Sequence, residues 1–360
     1  MSGKNDGQVA YETAIAAKGS EAVAEFDQRK TALETLQQML HETPWLAPLL
    51  VLLVSLAGFG VLVGARFFSA YALTLVLQQV MITGIVGIAQ SLVILTAGID
   101  LSVGAIMVLS SVFMGQCVFA YGLPAPAAIL AGFALGTAIG GFNGVLVARL
   151  RLPPFIVTLG SWQIFLAANY LYSAHQTIGA AQISMQAPLL QFLGNTFVVG
   201  GKNGATFTYG VVLMLALVLL FAYILRHTAW GRHVYAVGDD PDAAALSGVR
   251  VRRMLIGVYM LSGLICAIAG WALIGRIGAI SPNSGQFENI NSITATVIGG
   301  ISLFGGRGSI LGMIFGALIV GVFTLGLNMY GTDPQWTYLL IGALIILAVG
   351  VDQWIRKAAV

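Results

Sequence analysis

Charged residues are scarce in this sequence. Asp, Glu, Lys and Arg make up 9% of its 360 residues, whereas apolar residues make up 58%. Residues 1–44 alone hold 4 of the 17 basic and 7 of the 14 acidic residues. Soluble domains carry about a quarter of charged residues, so the rest of this chain cannot cover itself with a wetted surface. We predict an all-α, polytopic membrane protein whose solvent is the lipid bilayer.

Cysteine pairs, metal-ligand clusters and basic stripes are also missing. The two cysteines, Cys117 and Cys266, lie in apolar runs, which excludes a disulfide framework and a zinc site built on paired Cys and His residues. We therefore predict no metal site. The net charge of +3 is scattered over single residues, so the chain offers no basic stripe to nucleic acid.

A phosphate-binding P-loop is absent as well. The pattern Gly-x-x-x-x-Gly-Lys-Ser/Thr occurs nowhere, and Gly201-Lys202 is followed by Asn203. The sequence therefore contains no catalytic residues for ATP hydrolysis by the P-loop mechanism, and we predict no cofactor in this chain. If ATP drives a process here, another subunit must bind it.

Residues 1–44 are predicted to form a polar tail, and residues 45–360 the membrane domain. The tail has no early apolar run, so we expect no cleavable signal peptide and a cytoplasmic amino terminus. Leu33, Leu36, Met39 and Leu40 recur at helical spacing, which fits an amphipathic helix on the membrane surface. A disordered tail fits the same residues.

The body supplies ten apolar stretches of about the 20 residues that a bilayer requires. They lie at roughly 46–65, 76–97, 103–121, 124–148, 155–174, 207–226, 254–275, 291–304, 310–329 and 336–354. The eighth stretch is short and residues 67–79 are ambiguous. We therefore expect broken or re-entrant helices near both.

Basic residues in the connections favour one orientation, because cytoplasmic loops retain positive charge. With the amino terminus inside, ten basic residues of the body face the cytoplasm and three face outward. The inner set is Arg149, Arg151, Arg226, Arg232, Arg250, Arg252, Arg253, Arg307, Arg356 and Lys357, and the outer set is Arg66, Lys202 and Arg276. An even number of spans then returns the carboxyl terminus to the cytoplasm.

Glycine, in contrast, is abundant, with 45 residues. In the fourth span, Gly132, Gly136, Gly140 and Gly144 recur at every fourth position on one helix face. A face without side chains lets helix backbones approach closely in lipid, which predicts tight helix packing. A surface on which helices slide would need the same glycines.

The longest connection on the basic side, residues 227–253, carries the signals of a short helix. Asp240 suits an N-cap, and Pro241 suits the first helical position. Asp242 complements the helix dipole, and Gly248 suits a left-handed C-cap. An isolated two-turn helix is marginal in water. This helix therefore either docks on a partner through its alanine face or is an ordinary turn.

These residues give the chain a family resemblance. Asp242-Ala243-Ala244, three further residues and Gly248 resemble the Glu-Ala-Ala-x-x-x-Gly loop of ABC importer permeases, with Asp in place of Glu. Residues 231–238, 98–104 and 297–308 are similar to the ribose, xylose and fructose branch of that family. The resemblance covers about residues 67–355, and the long tail resembles that of rhizobial-type fructose permeases.

The resemblance implies the bacterial inner-membrane permease of a binding-protein-dependent importer for a monosaccharide. Two copies would surround one path, and a periplasmic sugar-binding protein would dock outside, near residues 175–206. Two ATP-binding cassettes fused in one chain would bind ATP and Mg²⁺ inside. The residues that would couple this chain to the ATPase are Gly238, Asp239, Asp240, Asp242, Ala243, Ala244, Ser247 and Gly248.

A sugar calls for neutral hydrogen-bonding side chains and aromatic rings along its path, and the spans contain several, among them Asn169 and Tyr170. The candidates are Asp100, Gln90, Asn143, Gln163, Asn291 and Thr294. Amides at membrane depth also hold helices together. Asp100, the only acid between residues 43 and 238, can contact substrate or cap the third span.

Two other functions stay open on the residues alone. An ion-coupled secondary transporter needs intramembrane carboxylates or His residues for its ion, and Asp100 is the candidate that the first six spans offer. A membrane enzyme such as a prenyl transferase could hold Mg²⁺ on Asp239, Asp240 and Asp242. Two-site magnesium chemistry, however, usually needs further clustered carboxylates.

Overall fold

The computed structural model of the protein describes residues 43, 45–199, 201, 204–285 and 287–357. The helix predicted near Leu33 and Leu40 lies outside these residues. The helices are α1 (Leu46–Val63), α2 (Ala70–Leu95), α3 (Val103–Phe119), α4 (Ala125–Leu150), α5 (Pro154–Ser173), α6 (Ala180–Gln186), α7 (Tyr209–His227), α8 (Ala229–Asp239), α9 (Pro241–Leu246), α10 (Val251–Ile277), α11 (Glu288–Ile298), α12 (Ile310–Tyr330) and α13 (Pro334–Lys357).

Each of the ten predicted spans coincides with a helix, so the prediction of an all-α polytopic membrane protein is confirmed. Six helices among the described residues are long and apolar enough to cross a membrane: α1, α2, α4, α7, α10 and α12. Shorter apolar helical stretches lie in α3 and α13. The ambiguous residues 67–79 resolve into a 3₁₀ turn over Gly64–Phe68 and the start of α2.

The eighth predicted span is shorter than its apolar stretch. α11 has 11 residues and ends at Ile298. A helix of that length rises only about 16 Å, roughly half of the hydrocarbon core. Beyond it the chain turns through Gly300, Gly305 and Gly306, all with positive φ, before α12 begins. α11 is therefore a half-helix.

Helix starts follow the expected capping chemistry. Hydroxyl side chains at the N-caps of α2, α7, α8 and α12 accept hydrogen bonds from backbone N–H groups of the first turn. These residues are Ser69, Thr208, Thr228 and Ser309. α10 and α12 end at left-handed glycines, Gly278 and Gly331.

Helix α10 connects the two ends of the helix bundle. Its 27 residues rise about 40 Å. It starts just after α9, and near its end Gly275 packs against the backbone of Gly194. We call the end with α9 the α9 face. We call the end with Gly194 the hairpin face, after the β-hairpin that follows Gly194 in the chain.

The glycine face of α4 lies against its neighbours. A Cβ added at Gly136 would come 2.6 Å from the carbonyl oxygen of Gly263 in α10, and one at Gly140 would also overlap the backbone of α10. Gly144 faces α10 as well, whereas Gly132 faces α3. The absent side chains let two helix backbones touch.

The predicted outer loop, residues 175–206, is a structured connection. It contains α6, a 3₁₀ helix over Pro188–Gly194 and a hairpin of β1 (Thr196–Val199) and β2 (Ala205–Thr208). The strands are antiparallel, with Thr196 opposite Thr208. The Trp271 Nε1–H donates to the Leu189 carbonyl oxygen at 3.1 Å, which ties this connection to α10.

Candidate functional site

The predicted coupling residues include the end of α8 and the short capped helix α9. Asp240 Oδ1 accepts hydrogen bonds from the N–H groups of Asp242 (2.9 Å) and Ala243 (3.0 Å), so Asp240 is the N-cap of α9. Gly248 follows the helix with φ +87°, a conformation in which a side chain is strained. Sequence signals and structure agree here because capping is a local property.

The alanine face of α9 is divided between the protein interior and solvent. Ala244 is buried, whereas Ala243, Ala245 and Ser247 are exposed. Leu246 is 91% exposed. The exposed surface of α9 is therefore centred on Leu246 and its small neighbours, whereas Ala244 is packed inside the chain.

Gly238 joins the end of α8 to two other connections. A Cβ at this position would overlap the carbonyl oxygen of Leu95, the last residue of α2, and would lie 2.7 Å from the backbone nitrogen of Gly306. The Gly306 N–H donates to the same Leu95 oxygen at 3.0 Å. A Cβ at Gly305 would lie 2.6 Å from the Gly238 carbonyl oxygen. We call these four residues the glycine junction.

Tyr235 of α8 makes a second link to the turn before α12. Its hydroxyl donates to the Gly308 carbonyl oxygen at 2.9 Å. Burial raises the pKa of Tyr235, so the hydroxyl stays protonated at neutral pH and keeps its donor. Helix α8 therefore contacts both the end of α2 and the turn between α11 and α12.

The break between α2 and α3, residues 96–102, holds Asp100 inside the bundle. Asp100 is 1% exposed. Its Oδ1 accepts hydrogen bonds from the backbone N–H (2.8 Å) and the Oγ–H (2.6 Å) of Ser102, the residue at the N-cap of α3. The carboxylate thus supports the start of α3 through Ser102. Its Oδ2 finds no hydrogen-bond partner among the described residues.

Asn143 extends this network to two more helices. Its Nδ2 donates to Ser102 Oγ at 2.9 Å, and its Oδ1 accepts from Ser161 Oγ at 2.5 Å. The network therefore ties the break to α4 and α5. Through these bonds Asn143 joins helices. Asp100 and Asn143 are the two predicted path residues that bind a common residue, Ser102.

The other predicted path residues lie in different places. Gln90 is fully buried in α2, with no hydrogen-bond partner for its amide in the part of the chain described. Gln163 is exposed on α5. On α11, Asn291 donates to Glu288 Oε1 at 3.4 Å and Thr294 is buried.

A cavity of about 230 Å³ lies between α3, α5 and residues 282–285 and 287–290. None of the six candidate path residues lines it, whereas Asn169 and Tyr170 from the wider polar set do. The described wall of the cavity has no charged side chain. Its hydrogen-bonding side chains are those of Asn169, Ser284 and Asn289, and its aromatic rings are those of Trp162, Tyr170 and Phe287.

The sequence contains a signal for this cavity. Trp162, Leu166 and Asn169 stand at positions i, i+4 and i+7 of α5, which places them on one helix face. Asn289 comes from a distant segment, and its Nδ2 donates to the Leu101 carbonyl oxygen at 3.3 Å. That contact connects the start of α11 to the break, and no local pattern reveals it.

Glu288 is a second acid that the sequence places in a loop and the structure places in a helix. As the first residue of α11, it accepts a hydrogen bond at 2.9 Å from Thr83 Oγ1 of α2. Nearby, Arg276 Nη2 donates to Gln79 Oε1 at 2.7 Å. Because the predicted eighth span starts at residue 291, Glu288 lies outside it, and the sequence does not predict this polar cluster.

A polytopic bundle with a broken helix and a half-helix is typical of membrane transport proteins. The chain belongs to the permease family described as "Branched-chain amino acid transport system / permease component", which matches residues 72–349. It is thus a multi-pass inner-membrane permease, and the family resemblance drawn from its motifs is confirmed. No solved structure matches the chain.

Curated relatives include several sugar permeases. The chain is 65% identical over 346 residues to the fructose import permease protein of Rhizobium meliloti, covering 96% of this chain and 95% of the relative. It is 35% identical to the ribose import permease protein of Escherichia coli (strain K12), covering 85% and 92%. It is 32% identical to the xylose transport system permease protein of Haemophilus influenzae, covering 86% and 96%.

Proposed function

We propose that this chain is the membrane-spanning subunit of an ATP-driven, binding-protein-dependent importer of a monosaccharide, with fructose as the first candidate. The observation that carries this proposal is the 65% identity to a fructose import permease over 96% of the chain. The cavity supports it, because amide and aromatic side chains suit the hydroxyls and the apolar faces of a sugar ring.

The family description names branched-chain amino acids, which differ from sugars in charge. An amino acid carries an ammonium and a carboxylate, and burying either without a charged or dipolar partner is costly. The described wall of the cavity has no charged side chain. A neutral solute therefore fits this wall better than a zwitterion.

The partners follow from the two faces. The α9 face would be cytoplasmic and would carry an ATPase subunit that binds ATP and Mg²⁺, while the hairpin face would receive a periplasmic sugar-binding protein. The excess of basic residues on the α9 side supports this orientation. Both termini would then be cytoplasmic. A second copy of the chain would complete the path.

Coupling would run through the glycine junction. Closure of the ATPase would move α9, and Gly238 would pass the movement to Leu95 and Gly306. Leu95 precedes the break that leads into α3, and Gly306 follows α11. Both α3 and α11 contribute to the cavity wall, so movement at α9 can open or close it from one side.

Reconstitution in proteoliposomes tests the function. The permease, its ATPase and its sugar-binding protein are assembled, and uptake of radiolabelled fructose, ribose and xylose is compared with and without internal ATP. We expect ATP-dependent uptake with fructose preferred. Uptake that needs only an ion gradient and no ATPase would support the ion-coupled alternative and overturn the proposal.

Leu246 tests the docking role of α9. Because its side chain is 91% exposed, Leu246→Asp should leave the folded permease unchanged and prevent co-purification of the ATPase. Met185 on the hairpin-face connection is 83% exposed, and Met185→Asp is the matched control that should retain the ATPase. Equal ATPase capture by both variants would contradict docking through α9.

A further inference from the structure

Asn169 occupies an unusual position in the cavity wall. It is 1% exposed, and its Nδ2 donates to the Pro282 carbonyl oxygen at 2.9 Å. That bond fixes the plane of the amide. Its Oδ1 has no hydrogen-bond partner within the described chain. A buried carbonyl oxygen without a donor is unfavourable, and this acceptor belongs to a residue of the cavity wall.

The size and the other residues of the cavity indicate which kind of solute could donate a hydrogen bond to this acceptor. The cavity of about 230 Å³ has room for a small solute of about eight water volumes, taking roughly 30 Å³ for each water. Trp162 and Tyr170 supply aromatic surface on the same helix as Asn169. A solute that donates hydrogen bonds from its rim and packs apolar C–H groups on rings matches this wall.

We propose that the cavity is an intramembrane sugar subsite in which Asn169 Oδ1 accepts a hydrogen bond from one hydroxyl of the passing monosaccharide. This inference rests on the proposed import of a monosaccharide and adds a place where the permease itself discriminates. Trp162 supplies the packing surface, and Asn169 determines specificity.

The subsite also lies where several elements meet. Asn169 joins α5 to Pro282, and the segment from Pro282 leads directly into α11. Asn289, at the start of α11, holds the Leu101 carbonyl oxygen of the break. A sugar bound at Asn169 therefore lies where the continuous helix α5 meets the half-helix α11 and the break that leads into α3.

The first experiment measures discrimination in the reconstituted importer. Uptake of fructose is competed with a series of deoxyfructoses, each lacking one hydroxyl. Asn169→Ala should reduce discrimination against one analogue by about two- to tenfold, the range of one neutral hydrogen bond, and leave discrimination against the others unchanged. Stimulation of ATP hydrolysis by the sugar-loaded binding protein should persist.

Leu171→Ala is the control, because Leu171 is 80% exposed on the same helix and does not line the cavity. Discrimination that is unchanged by Asn169→Ala, or changed equally by Leu171→Ala, would overturn the subsite. Wild-type importer that transports none of the tested sugars would instead contradict the proposed function, so the two failures are distinguishable.

A second experiment keeps the proposal testable if Asn169→Ala fails to fold. Ser284 lines the cavity, whereas its neighbour Asn283 is exposed and does not. The native cysteines, Cys117 and Cys266, are buried. Fructose should slow maleimide labelling of Ser284→Cys and leave labelling of Asn283→Cys unchanged. Equal labelling rates with and without fructose at position 284 would overturn the subsite.

Discussion

The contact between α4 and α10 and the break between α2 and α3 are both buried, but they are stabilised in opposite ways. In the first, glycines such as Gly136 and Gly140 remove side chains so that two intact helices touch. In the second, backbone groups leave the helix ladder and need partners from elsewhere. Thr158 Oγ1 donates to the Ile99 carbonyl oxygen at 2.9 Å, and Asn289 Nδ2 to that of Leu101.

From this difference we predict one static region and one that changes during transport. A close glycine contact leaves no room between the two backbones, so we expect it to resist displacement. The break is held by hydrogen bonds from α5 and α11, and we expect these bonds to be exchanged when those helices shift. Non-helical backbone is tolerated at membrane depth only where such partners or a cavity exist. We therefore expect changes in the first region to affect folding and changes in the second to affect transport.

The largest effect is expected at the glycine contact. Gly140→Leu would force a side chain into the α10 backbone, and overpacking of this kind costs about 3 kcal/mol or more of unfolding free energy. Gly257 of α10 has open space around it, so Gly257→Leu is the control. Thermal unfolding of the purified permease should distinguish them, and equal stability of the two variants would show that this contact is not tight.

A change at the glycine junction should act on transport. Gly238→Ala places a methyl group against Leu95 and Gly306, which pushes α8 away from both connections at a cost of about 1–3 kcal/mol. We expect fructose uptake to fall at least about tenfold, equivalent to about 1.4 kcal/mol, while ATP hydrolysis continues. Gly257→Ala is the control. Normal uptake by Gly238→Ala would mean that movement passes elsewhere.

Two substitutions of Asp100 test whether its side chain is needed as a hydrogen-bond acceptor or as a negative charge. Asp100→Ala leaves the N–H and the hydroxyl of Ser102 without their acceptor, so we expect a loss of about 1–3 kcal/mol in unfolding free energy. Asp100→Asn retains an oxygen at the position of Oδ1 and should keep most of the stability. Thermal unfolding and fructose uptake are measured for both. If Asp100→Asn transports no sugar although it is stable, the negative charge itself is required.

The smallest effect is expected at Tyr235. Tyr235→Phe removes only the hydrogen bond to the Gly308 carbonyl oxygen, which contributes about 0.5–1.5 kcal/mol. Uptake should fall by a factor of a few, and Tyr223→Phe, an exposed tyrosine of α7, should leave it unchanged. A loss as large as that of Gly238→Ala would shift the main mechanical contact from the glycine junction to this hydrogen bond.

The accuracy of the sequence-based predictions varied with how local each feature is. The helices that overlap the ten predicted stretches follow from runs of apolar residues, and the capped helix α9 follows from Asp240, Pro241 and Gly248. Both depend on free energies summed over a few neighbouring residues. The predicted path residues were chosen by polarity alone, and polarity does not tell whether Asn143 faces a solute or Ser102 and Ser161. Trp162 and Asn169 share a helix face in the sequence, but nothing local indicates what lies opposite.

The sequence by itself therefore determined that this protein lives in the bilayer, where its helices run and to which permease family it belongs. The tertiary structure alone decided that α11 is a half-helix starting at Glu288, that the cavity lies beside Asn169, and that Gly238 meets Leu95 and Gly306. The physical reason is that transfer into lipid and helix capping are properties of a segment. A cavity and a junction are properties of segments far apart in the chain, and only packing brings them together.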